Sequence, residues 1–119
     1  MKTDNVVVDK SKAFAVRMVK MYQYLSRENN EYVLSKQVLR SGTSIGANVK
    51  EAIRAQSKPD FISKMQIALK EASETEYWIE LLTETEYVSE KQAESLLADC
   101  QELLKMLTTI IKSAKAKRE

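Results

Sequence analysis

Residues 89–114, SEKQAESLLADCQELLKMLTTIIKSA, decide the fold. Within them Ala93, Leu96, Leu97, Cys100, Leu103, Leu104, Leu107, Ile110, Ile111 and Ala114 hold core positions of a seven-residue repeat, so one apolar stripe runs along one helix. Ser89-Glu90-Lys91-Gln92 opens that helix as a capping box. The Ser89 hydroxyl can accept from the Gln92 N–H while the Gln92 side chain returns to the Ser89 backbone, and Val88 with Ala93 can staple the entry. A helix is predicted over about residues 90–115.

The same pattern recurs three times upstream. Ser57-Lys58-Pro59-Asp60 reads as a helix start, with Ser57 as cap, Pro59 tolerated in the first turn and Asp60 suited to the positive helix end; the helix runs over about 58–83. Leu34, Val38, Ile45, Val49 and Ile53 carry a helix over about 34–56, and Phe14, Met18, Met21 and Leu25 carry one over about 9–29, closed by Asn29-Asn30. Four such helices joined by short polar connections predict one domain over residues 1–119, an antiparallel up-down-up-down bundle.

Composition agrees. The 119 residues and 13.6 kDa suit one core, and two glycines and one proline leave little material for the turns of a sheet protein. The class is all-α. The chain has no histidine, which removes Ser-His and Cys-His pairs, His-based zinc sites and the Glu-x-x-His pattern of di-iron bundles. No enzyme activity, cofactor or metal is expected. Met1-Lys2-Thr3-Asp4-Asn5 is polar and Val6-Val7-Val8 is too short for a signal core, so a cytoplasmic protein with no membrane role is expected. The lone Cys100 lies on the apolar stripe and reads as a small buried hydrophobe.

Both glycines fall in Leu39-Arg40-Ser41-Gly42-Thr43-Ser44-Ile45-Gly46-Ala47-Asn48, inside a helix. Each costs roughly 1 kcal/mol against alanine there, so Gly42 and Gly46 are expected to mark a close helix approach. Ser41 and Asn48 border the apolar face and are expected to need hydrogen-bond partners. Thr43 and Ser44 have no base at a helical neighbour position other than Lys or Glu, so they make weak nucleophile candidates.

On helix two, Lys36, Arg40, Lys50 and Arg54 share an arc of roughly 80° opposite the apolar face; on helix one Arg17, Lys20 and Arg27 do the same. Residues 1–57 carry ten Lys or Arg against five Asp or Glu, residues 58–88 three against seven, and residues 89–119 six against five. The chain is polarised although its net charge is only +2. Such stripes can neutralise phosphate without reading bases, although the plain alternative is a solvated face.

Helix three has two apolar faces. Phe61, Met65, Ala68, Ala72 and Ile79 mark one; Ile67, Trp78 and Leu81 mark another, expected to face a second subunit with Trp78 as anchor. Glu71, Glu74, Glu76 and Glu80 crowd the same helix and read as a solvated or salt-bridged face.

Arg40 to Val49, then Glu51-Ala52, Asp60-Phe61, Ile67 to Ala72 and Glu74 to Leu82 closely resemble the bacterial four helix bundle protein family, the 23S rRNA intervening-sequence proteins, over about Phe14 to Ile111. The resemblance implies a four-helix bundle assembling as a homopentamer. The family's name records that some members are encoded in insertions of rRNA genes. The accessory variability determinants of diversity-generating retroelements are similar in fold and in basic helices, and they bind a reverse transcriptase and nucleic acid. The expectation is therefore a non-enzymatic homo-oligomeric bundle binding RNA or DNA weakly, with a protein adaptor as the alternative.

Overall fold

A computed structural model describes residues 2–117, so the reading of Met1 lies outside the described residues. Four helices follow in order: α1 Lys2–Glu28, α2 Leu34–Ile53, α3 Lys58–Glu84 and α4 Glu90–Ala116. Each packs against its chain neighbours, and α4 closes the ring against α1 along the thinnest seam. The described residues form a rod of 51 × 21 × 19 Å.

One apolar core serves all four helices, with Phe14, Met18, Leu25, Ile45, Met65, Ile79, Leu82, Leu103 and Leu107 among its fully buried side chains. The core explains why α1 begins upstream of the expected Asp9. Val7 is fully buried and extends the spacing of Phe14 and Met21 by one repeat, while Ser11 occupies a core position that a reading by apolar residues passes over.

The caps form as the side chains dictate. Ser57 Oγ accepts from the Asp60 N–H at 3.2 Å, and at α4 both arms of the capping box close, each at 3.1 Å. α2 ends at Ile53 rather than near Gln56, because the Arg54 and Ala55 N–H groups turn back to the carbonyls of Glu51 and Ala52 at 3.1 and 3.0 Å.

The start of α2 uses a device absent from the expectations. Its N-cap residue Val33 offers no side-chain cap; Glu31 takes that role, accepting from the N–H groups of Val33, Leu34 and Ser35 at 3.2, 3.1 and 2.7 Å. Asn30 makes this reach possible by adopting a φ of 53°, a conformation asparagine tolerates better than most residues. Burial alone would push the Glu31 carboxyl up, but the backbone donors of Leu34, Ser35 and Val33 outweigh it and hold it below its usual 4.5. A depressed carboxylate contributes stability above its unfolded value and loses it as pH falls through the folded value. Glu31→Gln is therefore expected to cost about 1 kcal/mol at pH 7. That deficit shrinks as pH falls below 4.5, as urea unfolding at neutral and acidic pH would read.

Both glycines lie where α2 approaches α1. A Cβ on Gly42 would stand 2.2 Å from Met18 Cγ, and one on Gly46 3.2 Å from the Ser11 carbonyl oxygen. Across the α2–α3 seam the Ser41 and Thr75 hydroxyls, both fully buried, hydrogen-bond at 2.8 Å, and Thr75 also reaches the Glu71 carbonyl oxygen at 2.7 Å.

Candidate nucleic-acid interface

The seven cations singled out in the sequence divide into two groups. Lys36, Lys50 and Arg54 on or just after α2, with Lys20 and Arg27 on α1, are exposed and have no carboxylate within ion-pair distance among the described residues. Arg40 and Arg17 are different, and this corrects the expectation of a wholly free stripe.

Arg40 is drawn off the stripe toward α3. Its Nη1 lies 3.3 Å from Glu71 Oε1 and its Nη2 bonds Glu74. The Trp78 indole N–H also donates to Glu74 Oε2 at 3.0 Å. That indole bond, working against partial burial and joined by Arg40, holds the Glu74 carboxyl below the usual carboxylate range. The Glu74 bond, opposed by desolvation and aided by the Glu71 charge, raises Arg40 in return. Arg17 spans to α4 in the same way, with Nη1 2.6 Å from Asp99 Oδ2 and Nη2 3.1 Å from the Ser95 hydroxyl. The physical reason is register: antiparallel neighbours set a carboxylate beside each guanidinium, and that pairing depends on which turn faces which.

The second face of α3 is also changed by its neighbours. Ile67 is 39 % exposed, Leu81 is half-buried, and Trp78 rests partly against the core with its N–H taken by Glu74. Trp78 is thus engaged within its own chain. Tyr77 is 57 % exposed and edge-on to Trp78 at 5.2 Å, and Val33, just before α2, is 70 % exposed. Sequence reading assigned neither to an interface; the signal available was that Tyr77 falls outside the core spacing of α3.

The remaining polar residues are locally satisfied. Glu76 accepts from Gln101 at 3.1 Å, Asn48 donates to the Ser44 carbonyl at 2.9 Å and Thr43 to the Leu39 carbonyl at 2.7 Å. Among the described residues every buried side-chain nitrogen or oxygen has a partner, and no three His, Cys, Asp or Glu side chains are grouped to hold a metal. Cys100 Sγ is buried and donates to the Ala72 carbonyl oxygen at 3.3 Å. A shallow groove of about 280 Å³ follows the thin α1–α4 seam, with buried Met21, Val88 and Leu96 beneath and Lys20 at its edge. No described helix is long and apolar enough to cross a membrane.

Fold and surface together define a four-helix bundle with a charged exterior. The chain matches the 23S rRNA-intervening sequence protein family over residues 3–109, and it belongs to that family. It is similar to a protein of unknown function from the S23 ribosomal protein family of Bacteroides thetaiotaomicron, seen in a crystal structure. The two share 60% sequence identity over 92% of this chain and 98% of that one, with a TM-score of 0.91. No curated protein matches.

Proposed function

We propose that the protein is a non-enzymatic, cytoplasmic homo-oligomer, a pentamer, that binds RNA or DNA weakly and without sequence preference. The observation that carries this reading is that five of the seven singled-out cations, Lys36, Lys50, Arg54, Lys20 and Arg27, are exposed and unpaired among the described residues. Each neutralises a phosphate rather than reading a base edge, so binding is governed by counterion release. The resemblance to the family implies the oligomer, whereas the family's name records gene location and does not bear on an RNA partner.

Fluorescence anisotropy with labelled RNA at about 50 and 200 mM salt tests the binding. Affinity is expected to fall steeply between the two, and Lys36→Gln/Lys50→Gln/Arg54→Gln to weaken it. Absence of binding at the lower salt, or binding indifferent to those substitutions, overturns the reading. Native mass spectrometry tests the assembly, with five 13.6 kDa chains the expected species.

A protein adaptor is the second reading, favoured by the exposed side chains of Tyr77, edge-on to Trp78, and of Ile67 and Val33. An apolar surface of this kind suits a protein partner better than a phosphate backbone.

A further inference from the structure

Folding converts the charge bias of the sequence into a different one. The loops place the start of α1, the end of α2, the start of α3 and the end of α4 at one end of the rod. The contacts Lys10–Glu102, Lys64–Glu51 and Lys58 to the Lys117 carbonyl fix this alignment. Segments 6–15, 44–70 and 102–117 form that half and carry eleven Lys or Arg against four Asp or Glu. Segments 16–43 and 71–101 form the other and carry six against eleven. A nearly neutral chain thus becomes a rod with one basic and one acidic end. The aromatic residues are sorted as well. All five tyrosines and Trp78 belong to the acidic half, while Phe14 and Phe61, the aromatics of the basic half, are buried and half-buried.

We infer that the nucleic-acid surface is this basic end, completed by Lys105, Lys112 and Lys115 of α4, and that it takes a double-stranded backbone in preference to a single strand. The inference rests on the proposed nucleic-acid binding and gives it a location and a substrate class. The three lysines are exposed and have no ion-pair partner among the described residues, yet none belongs to the α1 or α2 stripes. They add to Lys50 and Arg54, which enter the same end from α2; Lys20, Arg27 and Lys36, the other cations of the proposed set, fall in the acidic half, so the inference narrows the surface to the basic end.

The preference for duplex follows from what the basic end lacks. Proteins that hold single strands combine cations with aromatic faces on which bases stack, at roughly 1–3 kcal/mol per base. Here the exposed aromatic rings stand at the acidic end, where carboxylates repel the strand that would reach them. Charge density is then the surviving attraction, and a duplex presents one phosphate per about 1.7 Å of axis.

Lys91 and Lys112 provide a matched test, since both are exposed on α4, at opposite ends of the rod. Lys112→Glu and Lys91→Glu alter net charge identically. Affinity for a 20-base-pair RNA duplex, read by anisotropy at about 50 mM salt, is expected to fall several-fold for Lys112→Glu and to stay within twofold for Lys91→Glu. In Lys105→Gln/Lys112→Gln/Lys115→Gln the salt dependence is expected to flatten by about one unit of slope per phosphate-contacting lysine removed. Circular dichroism verifies that each variant keeps its helices. Equal losses from the two charge reversals would overturn the inference, as would a single strand bound as tightly as the duplex. An α4 triple variant that binds like the parent, while the α2 variant does not, overturns the inference and leaves the parent reading standing. A parent protein that binds neither nucleic acid removes both.

Discussion

Gly42→Leu is expected to destabilise the bundle by about 1–3 kcal/mol, because the volume it needs is already filled. The first atom of any side chain at this position would meet Met18 Cγ at 2.2 Å and Sδ at 2.6 Å. Met18 is fully buried and packed in the core, so it cannot swing into solvent without opening a cavity. Urea unfolding reads the loss as a lower midpoint. Adding Met18→Ala is expected to recover part of it, since the smaller partner returns the space the leucine requires; a double-mutant cycle measures the recovery. Gly46→Leu gives the contrasting case. Its obstacle is the Ser11 backbone carbonyl at 3.2 Å, so α1 itself must withdraw and Met18→Ala brings no relief. Leucine at either glycine with the parental unfolding midpoint would refute the close approach.

Cys100 is expected to react with a thiol reagent about a thousandfold more slowly in the folded protein than in the denatured chain. Burial first, and then the charges of Glu76, Asp99 and Glu80, push its thiol from 9.0 up to about 12, leaving almost no thiolate at pH 8. Labelling with and without denaturant measures the ratio, and equal rates would overturn the assignment of Cys100 to the core. The same shift carries a pH consequence of definite sign. A folded-state value raised above the unfolded one leaves stability intact below 9.0 and erodes it as pH climbs toward 12, by about 1.4 kcal/mol per unit at most. Cys100→Ala is expected to flatten that alkaline decline.

What was legible in the sequence divides along a physical line. Features encoded within about four residues could be read directly: the Ser89–Gln92 box, the Ser57 cap and the α4 repeat all form where their spacing places them. The glycines announced a close approach, but not that Met18 and Ser11 would be the groups approached, because those lie on another helix. Ser11 itself hid the first turns of α1 by placing a hydroxyl in a core position. Glu31 was missed because its carboxylate caps a helix starting several residues later, through a turn that depends on Asn30.

The candidate interface was legible only as an inventory of cations. Which of them are free depends on side chains 31–82 residues distant, as the Arg40–Glu71 and Arg17–Asp99 pairs show. Likewise, charge summed along the chain cannot reveal charge arranged along the rod, since each helix reverses the direction of the last.

The lengthwise separation of charge bears on how copies can associate. Rotational symmetry never turns one member of a ring upside down relative to its neighbour. In the proposed pentamer, rods set along the ring axis would therefore gather every cationic tip onto one rim and every anionic tip onto the other. The proposed weak attraction of one copy to phosphate would then become multivalent capture on one rim. Dissolved salt has opposite consequences for such a ring, easing the crowding of like charges while loosening its grip on a polyanion.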